Sequence, residues 1–299
     1  MTTSNPILKK LGLAPDDRAV VLHVDDMGNM QGTIDAYGEL LDAGVISSAA
    51  VMVPCPWFPA AAEFCRTRAG HPDLDMGVHL TVTSEYTAYR WGPISTRDRR
   101  SGLLDDDGYL HSLSAPFQRQ ASVEAARHEL RAQIERALAA GIDVTHIDSH
   151  MGSLFHPKFI DAYVDLAFEF NVPAFLPREV DTVLFEEAYG YLLARIPQWE
   201  ERGLPLFDYA TMMPLNDAAG RREKLLSMLR SLPPGLSYLM LHPSKDTPEL
   251  RQVSPVDWPC RVADYETFRD PALRQAIEAE GVHVIGMRDL RDLMRAGGN

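Results

Sequence analysis

Short β-branched runs alternate with helical patterns along nearly the whole chain, and this alternation limits the fold more than any other feature. Seven or eight such runs are present, the first at residues 19–24 and one of the last at residues 236–242. Between them, apolar residues recur at helical spacing, as Leu130, Ile134 and Leu138 do. Alternation of this kind is typical of repeated βα units around a mostly parallel sheet.

Seven or eight βα steps in 299 residues favour a closed barrel, because a right-handed repeat tends to close on itself near that number. We therefore predict an α/β fold, an irregular (β/α) barrel of seven to eight parallel strands that forms a single domain over residues 1–299. A doubly wound open sheet is the alternative.

Residues 84–121 interrupt this rhythm with glycines, an acidic run and aromatic residues, without sustained periodicity. We expect a long irregular insertion here. A connection of this length inside a compact domain is usually a lid or a binding loop, and the other interpretation is a solvated excursion.

The charge and the N-terminal sequence argue against several classes of partner and location. With 29 basic and 42 acidic residues, the chain has a net charge of -13 and should repel nucleic acid and anionic membranes. Its first residues lack the apolar segment of a secretory signal, and no run reaches the roughly 18 apolar residues of a membrane span, so we expect a cytoplasmic protein. Cys55, Cys65 and Cys260 lack metal-type spacing and fit reduced, buried thiols. A homodimer is left open.

Barrel enzymes place their chemistry where strands end, and polar residues collect at those points in this sequence. Asp25 and Asp26 directly follow the first strand. Two adjacent carboxylates are costly to bury there unless a metal or another cation satisfies them. Capping of the following helix is the alternative role for this pair.

Histidines end other predicted strands. His79 closes the third, a His-x-Asp-x-His run from His146 to His150 ends the fourth, and His242 closes the seventh. A single histidine in such a place is more often a hydrogen-bonded core residue than a ligand. Two of them with one aspartate form a 2-His-1-carboxylate set, which suits a catalytic divalent ion with open positions.

At these residues the sequence resembles the YdjC-like family of carbohydrate deacetylases, which includes chitooligosaccharide and hopanoid-associated deacetylases. The resemblance spans nearly the full chain, and its motifs are Val-Asp-Asp-Met-Gly at 24–28, Gly-Val-His-Leu-Thr at 77–81, Thr-His-Ile-Asp-Ser-His at 145–150 and Met-Leu-His-Pro-Ser at 240–244. It implies a deacetylase-type barrel, one divalent metal ion (zinc or magnesium) and a small-molecule carbohydrate substrate. The implied reaction removes an N-acetyl group from an amino sugar or small oligosaccharide, with metal-bound water as the nucleophile.

Carried over position by position, the resemblance implies that Asp26, His79 and His150 are the metal ligands. It makes Asp25 the base that takes a proton from the attacking water. By analogy with the wider deacetylase group, His242 is the acid that protonates the leaving amine.

Arg178, after the fifth predicted strand, is the remaining catalytic candidate. It would orient Asp25 or stabilise charge in the site. The alternative is that Arg178 is an exposed helix-cap arginine with no catalytic role. Two departures from the family pattern bear on the substrate: Met27 stands where phenylalanine is common, and Met151 and Gly152 follow the histidine motif where further histidines are common. We expect this altered loop to line the pocket.

Two other functions are alternatives. An amidohydrolase-type metallohydrolase acting on a cyclic amide usually has His-x-His on its first strand, where this chain has His23-Val24-Asp25. A non-catalytic sugar-binding barrel would use the aromatic residues of segment 84–111 as stacking faces. The sugar-binding alternative predicts that at least one metal-ligating or acid–base residue is lost, but the sequence retains all of these residues.

Overall fold

The computed structural model describes residues 5–178 and 189–297. Within these residues, seven strands form one parallel sheet. The strands are β1 (Arg18–Met27), β2 (Ser48–Val51), β3 (Met76–Leu80), β4 (Val144–Ser149), β5 (Tyr209–Met212), β6 (Gly235–Leu241) and β7 (Val282–Val284).

Twelve α-helices are described, most of them between successive strands. They are α1 (Pro6–Lys10), α2 (Gln31–Ala43), α3 (Phe58–Thr67), α4 (Ser114–Gln120), α5 (Val123–Ala139), α6 (Ile160–Phe170), α7 (Tyr189–Glu201), α8 (Arg221–Ser231), α9 (Pro248–Val253), α10 (Trp258–Phe268), α11 (Ala272–Ala279) and α12 (Met287–Ala296). None of these helices combines the length and apolar character needed to cross a membrane.

Strand β1 is the centre of the sheet, and every residue after Arg18 in it is buried. A near-continuous apolar run of this kind is typical of a parallel strand covered on both faces. The strand order is β4-β3-β2-β1-β6-β5, and β7 also pairs with the first residues of β1. Because β2 pairs only with the second half of β1, from His23 to Met27, the two halves of β1 have different neighbours.

Isolated bridges close this sheet into an irregular barrel. Ile147 of β4 bridges Ala174, and Pro177 bridges Phe207 just ahead of β5. The sequence predicts the fifth strand at residues 172–176. The stretch 172–177 occupies a strand's place without forming a ladder, because its two prolines have no backbone N–H to donate. The predicted α/β class with seven to eight parallel strands is confirmed.

Outside α4, the segment 84–121 has only a 3₁₀-helix (Arg99–Ser101) and isolated bridges, and it packs against the barrel rather than extending into solvent. Its side chains Trp91, Leu103, Leu110 and Phe117 are buried. The Trp91 indole N–H donates to the Thr83 carbonyl at 2.8 Å, which ties the segment to the residues that follow β3. This packing fixes the segment against the carboxyl ends of the strands.

Candidate metal centre and catalytic site

The carboxyl ends of four strands bring the predicted site residues to one edge of the barrel. Asp25 and Asp26 come from β1, His79 from β3, His150 directly follows β4, and His242 directly follows β6. The first four are at most 5% exposed. All five line a cavity of about 1070 Å³.

A local distortion lets both adjacent aspartates reach this cavity. Asp26 has a φ of 62°, in the left-handed region that non-glycine residues rarely adopt, and the register between β1 and β2 shifts at this point. Without the distortion, successive strand residues would point to opposite faces. The pair does not cap the next helix, since α2 begins at Gln31 and its N-cap is Met30.

Asp26, His79 and His150 place three ligand atoms around one point. Asp26 Oδ1 lies 3.6 Å from His79 Nε2 and 3.4 Å from His150 Nδ1, and the two nitrogens are 3.1 Å apart. Atoms bound at about 2.1 Å to one ion stand roughly 3–3.5 Å apart, so this spacing fits a single cation. Asp26 Oδ1 is also buried and has no hydrogen-bond partner among the described residues, as expected of an oxygen that awaits a ligand.

Two further buried groups in the described residues come close enough together to hold an ion, but both depend on Asp148. Its carboxylate oxygens already lie 2.7 Å from His79 Nδ1 and 3.0 Å from His23 Nε2. Both oxygens of Asp148 therefore already have an imidazole partner. The group of Asp26, His79 and His150 is therefore the better candidate for the metal.

Each histidine of this group has a carboxylate on its other ring nitrogen. Asp148 Oδ1 contacts His79 Nδ1, and Glu85 Oε2 lies 3.1 Å from His150 Nε2. This arrangement, common around protein metals, fixes the tautomer and the orientation of the imidazole. Burial alone would lower the pKa of His150, but Glu85 and Asp26 outweigh it and raise that pKa to about 10 in the metal-free site.

Arg261 of α10 provides the cation beside the aspartate pair. Its Nη1 lies 2.8 Å from Asp26 Oδ2, and its Nε pairs with Asp257 at 2.9 Å. Burial would raise the pKa of Asp26, but the Arg261 guanidinium outweighs it and holds that pKa well below its usual range. Sequence reasoning assigned no role to Arg261. The clue in the sequence was the aspartate pair itself, because two buried carboxylates need a buried cation beside them.

His23 is a second site residue whose role sequence reasoning missed. It is fully buried, and its Nε2 lies 3.1 Å from Asp25 Oδ1 and 3.0 Å from Asp148 Oδ2. Burial would lower its pKa, but these two carboxylates outweigh it and raise the pKa of His23 to about 9. The available signal was strand periodicity, since His23 and Asp25 are two residues apart on β1 and share a face.

His242 faces the other oxygen of the proposed base. Its Nε2 lies 3.4 Å from Asp25 Oδ2, and its backbone N–H donates to Asp264 at 3.2 Å. Burial lowers the pKa of His242 below its ordinary value, against the raising effect of Asp25 and Asp26. The imidazole is therefore neutral at neutral pH and able to accept a proton.

Arg178 lies in a different set of contacts. Its Nε pairs with Glu200 at 3.0 Å and its Nη1 with Asp208 at 2.8 Å. The side chain is only 16% exposed, so Arg178 is not an exposed arginine. Its action on Asp25 stays a prediction, and Arg261 is the arginine seen against the aspartate pair.

The cavity is lined by both polar and apolar residues. Glu85 and Tyr86, from the segment 84–121, are among the polar ones, as are Asp257 and Arg261. The apolar lining includes Met151, Phe155, Phe175, Met212 and Met240. The loop at Met151, where the sequence departs from the family pattern, therefore does line the pocket.

Comparison with known proteins places this site in context. The family model described as YdjC-like protein matches residues 19–279. A carbohydrate deacetylase of Thermus thermophilus is 30% identical to this chain, and the match covers 96% of this chain and 99% of that relative. A carbohydrate deacetylase of Thermoanaerobacter pseudethanolicus is 27% identical, and the match covers 79% of this chain and 84% of that relative. A crystal structure from Enterococcus faecalis V583, described as that of a candidate cellobiose-phosphate cleavage protein, has a TM-score of 0.75 at 23% identity. It covers 92% of this chain and 99% of its own, and it shows a shared fold.

Proposed function

Because the chain belongs to the YdjC-like family, we propose that it is a metal-dependent carbohydrate deacetylase that hydrolyses an N-acetyl group from an amino sugar or small oligosaccharide. The relatives named carbohydrate deacetylase support the substrate class. The observation that carries the mechanism is the buried group of Asp26, His79 and His150 with Asp25 and His242 beside it.

Asp26, His79 and His150 would hold one divalent ion, which when bound supplies a Lewis acid for the acetamide carbonyl. Two imidazoles and one carboxylate favour zinc over magnesium, since Mg²⁺ prefers an all-oxygen shell. Arg261 keeps Asp26 ionised and thus ready to act as a ligand.

Asp25 is the general base in this mechanism. His23 contacts its Oδ1, which leaves Oδ2 on the side of His242 free to take a proton from the attacking water. General-base help of this kind contributes about 10²–10⁴-fold to a rate.

His242 is the group that delivers a proton to the departing nitrogen. Because it is neutral and its Nε2 lies 3.4 Å from Asp25 Oδ2, it can receive there the proton that Asp25 has taken. The same proton then goes to the amine, which is a poor leaving group until it is protonated. Base and acid thus act in sequence across one 3.4 Å contact.

The test is acetate release from N-acetylated mono- and oligosaccharides by chelator-treated protein, reloaded separately with zinc and with magnesium. We expect release only after metal is restored, and none from His79→Ala, which should also bind less metal. If metal-loaded protein binds the sugars but releases no acetate from any of them, the sugar-binding alternative replaces the deacetylase.

A further inference from the structure

Glu85 contacts the candidate metal centre from the segment 84–121. It is the second residue of that segment, and its carboxylate lines the cavity at 22% exposure. Its Oε2 lies 3.1 Å from His150 Nε2. Neither strand-end reasoning nor the shared motifs point to this residue.

The two histidines of the metal group face the site through different ring nitrogens. His79 offers Nε2, with Asp148 on its Nδ1, whereas His150 offers Nδ1. A neutral imidazole can give a lone pair at Nδ1 only when its proton sits on Nε2. An anionic acceptor at Nε2 favours that tautomer, and Glu85 is the acceptor in this position.

Glu85 contacts the edge of the His150 ring that is turned away from the other ligand atoms. Asp26 Oδ1 and His79 Nε2 both lie against Nδ1 of that ring, at 3.4 Å and 3.1 Å. Glu85 is therefore placed to orient His150 rather than to share the ion with it.

The residues on both sides of Glu85 are held by hydrogen bonds, those of Ser84 within the folded segment and that of Tyr86 to Asn29. The Ser84 N–H donates to the His111 carbonyl at 2.8 Å, and Asn29 Nδ2 donates to the Tyr86 hydroxyl at 3.3 Å. The Trp91 N–H donates to the Ser84 hydroxyl oxygen at 3.0 Å. The position of the Glu85 carboxylate thus depends on contacts across residues 84–121.

We propose that Glu85 is a positioning residue that holds His150 in the tautomer and orientation needed for metal binding, and that this contact is how the segment 84–121 contributes to the centre. The inference rests on the metal site of the proposed function. It assigns no contact with substrate to Glu85.

Zinc affinity, measured by competition with a chromogenic chelator, tests the inference without any substrate. We expect Glu85→Ala to bind zinc about 10–100-fold more weakly, the usual effect of removing such a partner. Glu85→Gln should lose less, because its amide oxygen still accepts from Nε2–H while the charge is gone. The matched control is Asp105→Asn, which removes an acid of the same segment that pairs with Arg90.

A second readout follows the His150 ring itself. In long-range ¹H–¹⁵N spectra of zinc-loaded protein, we expect the proton on Nε2 in the wild type and in Glu85→Gln. In Glu85→Ala we expect a mixture of rings that bind zinc through Nδ1 and rings that have turned to bind it through Nε2. A role confined to folding of the segment would not produce this signature. Thermal unfolding of each variant checks that the fold is retained, and Glu85→Gln carries the test if Glu85→Ala does not fold.

Wild-type zinc affinity in folded Glu85→Ala, or in folded Glu85→Gln when only that variant folds, would overturn the inference. Equal losses in the Glu85 variants and Asp105→Asn would overturn it as well, since they would point to folding of the segment alone. If the Glu85 effect is present but no N-acetylated sugar releases acetate, the proposed function fails and the inference stands. If acetate is released but the Glu85 variants bind zinc normally, the inference fails and the proposed function stands.

Discussion

At the scale of single residues, Asp25 should separate metal binding from turnover. Asp25→Asn keeps the shape and a hydrogen-bonding side chain but cannot accept a proton at neutral pH. We expect near-normal zinc content and a loss of kcat of about 10²–10⁴-fold. Asp26→Asn, the matched change at the neighbouring position, should lose zinc. Wild-type turnover by Asp25→Asn would show that another group is the base.

His242 allows a test that depends on the leaving group. Without this histidine, an amide should suffer far more than an activated ester, whose leaving group needs less protonation. We expect His242→Gln to keep its melting temperature and metal content, with a selective loss on the N-acetyl substrate. Equal losses on both substrates together with a lowered melting temperature would indicate a structural histidine.

Strand-end reasoning could identify residues near the site but not the contacts between them. Asp25, Asp26, His79 and His150 each stand beside a readable strand, so the topology of a parallel barrel alone predicts that they meet. Arg261 lies on a helix more than 230 residues along the chain from Asp26 and pairs with it only in the folded barrel. Side-chain partners at such separation leave no local pattern in one sequence.

At the scale of elements, β3 depends on the absence of a side chain at Gly77. A Cβ there would lie 2.6 Å from His146 Nδ1 on β4 and overlap the rest of the imidazole ring. Gly77→Ala should therefore lower the free energy of unfolding by roughly 1–3 kcal/mol, measured by urea denaturation. Gly190→Ala, in α7 with open space around the added methyl group, should be neutral or slightly stabilising.

A double variant identifies the cause of the Gly77 effect. If the imidazole is the obstacle, combining Gly77→Ala with His146→Ala should cost less than the sum of the two single changes. Strict additivity would assign the loss to the backbone of β3 instead.

Element boundaries show where sequence patterns were insufficient. The apolar run at 206–210 predicts a strand, and β5 begins three residues later at Tyr209. Phe207 instead makes single backbone hydrogen bonds: its N–H donates to the Leu176 carbonyl at 3.1 Å, and its carbonyl accepts from the Arg178 N–H at 2.7 Å. Apolar content predicts that such stretches are buried, whereas the available N–H donors decide whether they form a ladder.

At the scale of the whole molecule, the buried contact between His23 and two carboxylates links stability to pH. The pKa of His23 is about 9 in the folded protein, against an ordinary value of 6.5. Between these values the folded protein binds one proton more than the unfolded chain, so raising the pH lowers the free energy of unfolding. The contribution is fully present below pH 6.5 and is lost as the pH rises through about 9.

The prediction is therefore a stability loss on the alkaline side that belongs to His23. For chelated, metal-free protein, urea unfolding from pH 6 to 9.5 should show a loss on the order of 3 kcal/mol in the wild type that His23→Gln does not show. His146→Gln is the matched control, because burial lowers the pKa of His146 to about 3 and that imidazole stays neutral across the range. Above about pH 7.5, where His146 is neutral in the unfolded chain as well, this control should be less stable by a similar amount at every pH and keep the wild-type slope. Parallel curves for the wild type and His23→Gln would mean that His23 is not the group that holds the extra proton in the folded protein.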